Sequence, residues 1–421
     1  MIAWPEDAAK LPSAPASGFC LPGLVNAHSH VFQRALLAAG AGRGGGDFWS
    51  WREAMYGLAN RIEAEVLADL AAWVYAEMLC NGYTWVCEFH YLHRRPDGSL
   101  DEPPEAMLRA LIEAARRSGI GMTLLPVLYR HGGFGRRPLA PEQRRFFLEL
   151  AEYRELLAAL IAEEGPRLRI GIAFHSLRAV ELDEMAEVLS WPESEGRPIH
   201  IHIAEQPREV EECLVHHRCR PVELLFARLA PDRRWTLVHA THLSAAEIET
   251  LRASACTIAF CPSTEADLGD GLPPAAELFS PPPTALGLAI GSDSELVLSP
   301  WEELRWLEWG QRLRFGRRGV LSAQGGEGLL RRAVAGGWRA AGFSGHGEDR
   351  PEDWIELSEE APALLEASPE TLADQLIFSG ERGVVARVFA GGKLLIRQGS
   401  HPEAAALQAE ARRALRFLRS R

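Results

Sequence analysis

The sequence predicts an α/β protein, a (β/α)8 barrel carrying a small β appendage. Three observations lead there. Eight short apolar runs alternate with segments of helical periodicity, the pattern of parallel strands joined by crossover helices. Histidine, glutamate or aspartate follows several of these runs, as happens where strand ends share one face. The chain of 421 residues exceeds the ~250 that such a barrel typically needs and leaves a remainder for a smaller unit.

Residues 1–17 are rich in proline, alanine and serine and too short for a domain, so 1–20 are assigned to the N-terminal part of the appendage. The barrel is assigned to 21–345, and the rest of the appendage with a terminal helix to 346–421. A first buried strand over 18–26 leads into His28 and His30, within LPGLVNAHSH (21–30). After 31–39 comes a glycine-rich loop over 40–46, free to move over a pocket, and Asp47 caps a helix reaching 56. A longer helix over 63–79 closes at Asn81-Gly82, and strand 83–89 is followed by His90, Tyr91 and His93. Helix 104–118 and Gly119 precede strand 120–128; helix 142–164 precedes strand 168–174, which ends on His175. Helix 182–189 precedes strand 199–203, and helices over 207–217 and 221–229 precede strand 235–238, which ends on His239. Helix 244–254, strand 257–260, a proline-rich loop and strand 285–290, ending at Ser292-Asp293, complete the eight. Beyond the barrel, 301–315 and 329–341 read as helices. From Trp354 short strands follow, with 384–390 and 393–397 flanking the hairpin signal Gly391-Gly392, then a final helix over 403–418.

A hydrophobic content of 47% with 24% charged residues is ordinary for a soluble globular enzyme and excludes wholesale disorder. The net charge of −12 argues against a nucleic-acid surface and gives no help in attracting an anion, so an anion site must be built locally from arginine. The only lysines are Lys10 and Lys393, both outside the barrel. The seven cysteines are scattered without a C-x-x-C pair, which indicates neither a disulfide framework nor a cysteine zinc site. With acidic Glu6 and Asp7 near the N-terminus and no apolar run of ~20 residues, a cytoplasmic protein without a membrane segment is expected.

Strand side chains alternate, so His28 and His30 face the same side and can share one ion. His175, His202, Glu205, His239 and Asp293 lie at the corresponding ends of later strands. Any one of them alone reads as a core or turn residue; their coincidence at one barrel face reads as a site. Three imidazoles with one carboxylate suit Zn2+, with Fe2+ second, and leave a position for water. His202 lies nearer the strand end than His200, so His202 is assigned as the ligand and His200 to packing.

VNAHSHVFQRAL, DFWSWREAMY, HSLRAV, HIHIAEQ, VHATH, CPSTEADLGDG, GSDS and EELRWLEWGQRLR together resemble the amidohydrolase superfamily. Within it they resemble the deiminases that act on N-formimidoyl-L-glutamate in histidine degradation. The resemblance runs from about 22 to 321, and more loosely to 400, and DFWSWREAMY and EELRWLEWGQR are its specific motifs. It implies one divalent metal held by His28, His30, His202 and Asp293, with Glu205 as proton shuttle and His239 as polarising group. It places Gln33, Arg52, Tyr91, His175 and Arg178 against a small dicarboxylate substrate, whose carboxylates a planar guanidinium grips at two points. No nucleic-acid or membrane partner is implied, and a homodimer stays open.

Two departures stand out. Such deiminases usually have histidine after GSDS, where this chain has Glu295, a charge that would repel a dianion unless turned away or paired. The N-terminus is also shorter than in relatives, whose extra residues join the C-terminal strands in a β-sandwich, so an incomplete sandwich is expected. The alternatives are a related enzyme deaminating another amidine, guanidine or aminated heterocycle, with Glu295 receiving a cation, or a binding protein built on an inactive barrel.

Overall fold

In a computed structural model of the chain, residues 19–39, 48–283, 285–344 and 349–420 are described; the expected glycine-rich loop over 40–46 and the Asp47 cap lie outside them. Eight parallel strands form the barrel: Leu24–Ser29, Tyr83–His90, Gly121–Leu128, Ile172–Ser176, Ile199–Ile203, Trp235–His239, Thr257–Phe260 and Gly287–Ile290. Each hydrogen-bonds to the next in chain order. Nearly every strand residue is buried, as parallel strands covered by helices must be.

The run over 18–26 is not one strand. Cys20–Pro22 pairs antiparallel with Trp354–Leu357 in the appendage, and only Leu24–Ser29 enters the barrel. Gly23 makes the break: a Cβ there would lie 2.1 Å from Thr84 Oγ1, so only glycine lets the chain cross so close to its neighbour. The run over 168–174 divides for a similar reason. Leu168–Ile170 and Ile172–Ser176 are separated by Gly171, where a Cβ would lie 2.5 Å from Leu125 Cδ2. His175 is therefore inside the fourth strand rather than after it. The helix expected over 142–164 is a 3-10 turn, Pro141–Phe146, and a helix, Leu150–Ile161, parted where Leu148 N–H donates to Tyr129 O at 3.3 Å.

The last helix of the barrel, Gly325–Ala340, seals its lower end. Gly336 and Gly337 bring its backbone against the eighth and first strands, at Leu288 and Val25. Inside the barrel, His200 Nε2 meets Ala340 O at 2.8 Å and Thr123 Oγ1 donates to Ala341 O at 2.9 Å, so two carbonyls at this helix's C-terminus are satisfied from within. Ala27, Val238, Ala259, Cys261, Ala289 and Ala340 fill the centre with small side chains. The appendage, expected as a sandwich, is among the described residues a single four-stranded antiparallel sheet of Cys20–Pro22, Trp354–Leu357, Val385–Ala390 and Lys393–Arg397. Helix Ala404–Ser420 follows it. Among the described residues no helix is long and apolar enough to cross a membrane.

Gly336→Ala tests the helix seal. The new Cβ would lie 1.9 Å from Leu288 O, and because backbone cannot yield like a flexible side chain, a loss of about 1–3 kcal/mol or more is expected. Gly57→Ala, at an exposed helical site with nothing within 4 Å, should leave the thermal midpoint unchanged or slightly raised. Equal midpoints for the two variants in a calorimetric scan would show that the seal tolerates expansion.

Candidate active site

The barrel closes at the point where the candidate ligands sit. Between the first and eighth strands, His30 N–H donates to Asp293 O at 2.9 Å and Asp293 N–H donates to His28 O at 3.0 Å. Asn26 reinforces the junction: its Nδ2 donates to Ser292 Oγ at 2.6 Å, and Ser292 N–H donates to its Oδ1 at 3.0 Å. Three of the four candidate ligands are thus held by one backbone seam. His202, at the end of the fifth strand, completes the group, whose ligand atoms all lie within 4.8 Å of one another.

His28 Nε2 lies 3.1 Å from His30 Nε2 and 2.9 Å from His202 Nε2, and Asp293 Oδ1 lies 3.5 and 3.3 Å from the first two. A tetrahedral ion with bonds of about 2.0–2.1 Å sets its ligand atoms roughly 3.3–3.4 Å apart, so the spacing fits. The protonation pattern fits too. His30 Nδ1 donates to Phe89 O at 2.7 Å and His202 Nδ1 donates to His175 O at 3.0 Å, which leaves both Nε2 atoms as lone-pair donors. Burial lowers the pKa of all three imidazoles, and those of His28 and His202 fall well below the usual histidine value. Neutral rings aim lone pairs at one point, which is a donor set for a cation.

His239 and Glu205 stand beside this group. His239 Nε2 is 3.8 Å from Asp293 Oδ2, and its Nδ1 faces Glu265 Oε1 at 3.4 Å. Burial opposes its charge, but Glu205, Glu265 and Asp293 outweigh that and raise its pKa to about 10. Burial also raises the Glu205 carboxyl, with Asp293 adding to the effect and His239 and Arg178 opposing it. The turn that presents Glu205 is held by Glu209, whose carboxylate accepts from the Ala204 and Glu205 amides, each at 3.1 Å. Ala204, His239, Ala240, Asp293 and Glu295 all have φ between +50° and +71°, so backbone strain gathers at this face.

Above the group lies a cavity whose lining includes Gln33, Arg52, Tyr91, His175 and Arg178 as well as His30, His202, Glu205, His239 and Asp293. Tyr56, Tyr129 and Phe146 form aromatic wall. Arg52 donates to Tyr56 Oη, and Gln33 Nε2 donates to Tyr91 Oη at 2.9 Å while the buried Gln33 Oε1 has no partner. Among the described residues Arg178 makes no hydrogen bond or ion pair. Burial disfavours its charge, yet the Tyr129 and Tyr56 hydroxyls, with Glu209 and Glu205, hold its pKa above the usual guanidinium value.

Three further buried histidines have structural partners. His200 faces the helix seal, and His90 and His93 bond backbone at Leu92 O and Val127 O, at 3.1 and 2.9 Å. Glu295 does not enter the cavity: fully buried, it accepts from Ser292 Oγ at 2.9 Å, and burial, with nearby Glu88, pushes its pKa well up. Sequence reasoning missed Asn26, Glu209 and Glu265. Glu265, four residues beyond Cys261 at the end of the seventh strand, follows the strand-end pattern that marked the others; Asn26 and Glu209 act through partners that only the fold supplies.

Residues 19–322 match the family model described as Amidohydrolase family. Formimidoylglutamate deiminase of Pseudomonas aeruginosa is 43% identical over 394 residues, covering 91% of this chain and 86% of that protein. An 8-oxoguanine deaminase of the same organism is 28% identical, covering 90% and 82%. Among solved structures, an amidohydrolase from Brucella melitensis matches with a TM-score of 0.88 at 36% identity, over 95% of this chain and 89% of that one. An adenosine deaminase from Xanthomonas campestris matches with a TM-score of 0.77 at 23% identity, over 96% and 86%, a likeness of fold.

Asn26→Leu should loosen the seam without touching a ligand, because it leaves Ser292 N–H and Oγ without their partner. Zinc affinity, read by competition with a chelating dye, is expected to fall about 10- to 100-fold with the fold retained. Wild-type affinity in this variant would mean that the ligands hold their places without the Asn26 link.

Proposed function

The chain belongs to the amidohydrolase family, and from that premise we propose that it hydrolyses the formimino C=N bond of N-formimidoyl-L-glutamate, giving N-formyl-L-glutamate and ammonia. The observation that carries the substrate class is Arg178, a guanidinium without a hydrogen-bonded or ion-paired partner among the described residues, in one cavity with Arg52 and the cluster of His28, His30, His202 and Asp293. A molecule with two carboxylates at one end and an amidine at the other meets both requirements at once.

His28, His30, His202 and Asp293 would hold one divalent ion, read as Zn2+ with Fe2+ second. When bound it supplies Lewis acidity that brings the ionisation of water to near pH 7. One ion is the count because His175 occupies the end of the fourth strand, where a bridging carbamylated lysine would be needed, and the chain has only Lys10 and Lys393. Arg52 and Arg178 grip the carboxylates, with Gln33, Tyr91 and His175 completing the pocket around the chain of the substrate. Asp293 accepts the proton of the attacking water. Glu205, its carboxyl pKa raised by burial, gives its proton to the formimino nitrogen, is reprotonated from the hydroxyl that the attack leaves on the carbon, and gives that second proton as ammonia leaves, the proton on Asp293 restoring it for the next turnover. His239, beside Asp293, steadies the charge that develops on the attacked carbon's substituents.

The rival reading, deamination of an aminated heterocycle or guanidine, suits the aromatic walls but leaves Arg52 and Arg178 facing a substrate without an anion. It also loses its cation receptor, since Glu295 is buried away from the cavity.

Two measurements test this. Glu205→Gln should retain the metal and lose about 10²- to 10⁴-fold in turnover in an ammonia-release assay, and near-normal turnover would remove Glu205 from the proton path. Arg178→Met and Arg52→Met should each raise KM for N-formimidoyl-L-glutamate at least about tenfold, since hydrogen bonds to charged groups contribute roughly 1.5–3 kcal/mol. Activity on a small uncharged amidine should change much less. Equal losses on both substrates would make the arginines structural and sink the dicarboxylate assignment.

A further inference from the structure

Gln143 is buried in the 3-10 turn Pro141–Phe146, does not itself line the cavity, and belongs to none of the sequence motifs. Its carboxamide can face only one way. Ala140 N–H donates to Gln143 Oε1 at 2.9 Å, so a flipped amide would set two donors against each other. The Nε2 group therefore faces two tyrosines, donating to Tyr129 Oη at 2.8 Å and to Tyr56 Oη at 3.2 Å. Each of its two hydrogens has one phenolic oxygen.

A phenol whose oxygen accepts from an N–H cannot return its own hydrogen to that nitrogen, which has no lone pair to offer, so the hydrogen must find another acceptor. Tyr56 is the more constrained, because Arg52 Nε donates to the same oxygen. Among the described residues neither hydroxyl has an acceptor for its hydrogen. Tyr91 differs: it accepts from Gln33 Nε2 at 2.9 Å and turns its O–H to Met55 Sδ at 3.8 Å. The cavity that Tyr56 and Tyr129 line also holds Arg52 and Arg178, so two O–H hydrogens join two guanidinium groups. The acceptor that suits all four is a carboxylate.

We propose that Tyr56 and Tyr129 bind a substrate carboxylate through their O–H hydrogens, and that Gln143 is the positioning residue that sets both hydroxyls as donors before the substrate arrives. The inference rests on the dicarboxylate reading of the cavity and extends it to three residues outside the set expected from the sequence. A hydroxyl free to rotate must be ordered on binding, whereas these two are ordered in advance.

Calorimetric titration of the full chain with glutarate, a dicarboxylate with no amidine to hydrolyse, tests the donors apart from the reaction. The wild type should bind it. Tyr56→Phe and Tyr129→Phe should each weaken binding at least about fivefold, with KM for N-formimidoyl-L-glutamate rising in parallel and kcat changing less. Gln143→Leu should weaken binding about threefold or more in the wild type, but by less than about 1.5-fold where both tyrosines are already phenylalanine. A purely structural glutamine would lose equally in the two backgrounds, and that result would overturn its positioning role. Phenylalanine variants that bind glutarate like the wild type, or a wild type that does not bind it, would overturn the proposal. If the wild type released no ammonia from N-formimidoyl-L-glutamate while glutarate binding still depended on the two hydroxyls, the reaction would be misassigned and the anion site would stand.

Discussion

The site depends on how the barrel closes. Around the rest of the sheet, neighbouring strands are joined by parallel ladders, but the first and eighth meet through the backbone of His28, His30 and Asp293 themselves. The seam that completes the fold is therefore also the scaffold of the ligands. Asn26 and Ser292 brace it from below, and Glu88 braces it from the side by accepting from Ser29 Oγ at 2.5 Å and Val31 N–H at 2.9 Å. Glycines at 336 and 337 let the sealing helix approach both strands at this junction, so helix packing beneath the barrel and ligand spacing above it share one mechanical element.

Such closure has a cost that other groups offset. Positive φ at Ala204, His239, Ala240, Asp293 and Glu295 is unfavourable for residues with a Cβ, and each such residue is expected to cost of order 1 kcal/mol or more. The Glu209 carboxylate holds the amides at Ala204 and Glu205, and Cys261 N–H donates to Glu265 at 3.0 Å beside His239. Buried acids thus satisfy the backbone of these turns and, by their charge, raise the pKa of His239. Glu209 pays for this with a carboxyl raised by burial to about 7, while Arg178 pulls it the other way.

The barrel, its strand order and the gathering of His28, His30, His202 and Asp293 at one face were legible because strand-end residues follow a simple geometric rule: period two turns His28 and His30 to one side, and parallel strands bring their C-terminal ends to one face. Breaks within runs were not legible, since Gly23 and Gly171 are required by Thr84, Leu125 and Pro198, which are remote in sequence. The fate of Glu295 was open for the same reason. Its neighbour in sequence is a ligand pair's strand end, but its φ of +63° and its bond to Ser292 turn it under the site rather than into it. A one-residue difference in local backbone decides whether that charge meets substrate.

With Glu295 buried, the charged groups among the described cavity-lining residues are two carboxylates and two guanidinium groups. Asp293 belongs to the candidate ligand cluster and Glu205 stands beside it, with Glu265 facing His239, whereas Arg52 and Arg178 supply the guanidinium groups, with no lysine among the described lining residues. For a substrate with carboxylates at one end only, the two charge sets act in the same sense. On the proposed reading the arginines would favour the productive orientation, and the acids would disfavour the reversed one, in which carboxylates would meet Asp293 and Glu205. Discrimination by both attraction and repulsion needs no long-range field, which a chain of net charge −12 could not direct toward a dianion. The protein's overall charge and its substrate's charge can therefore have the same sign, because on this reading orientation is decided within a few ångströms by groups inside the cavity.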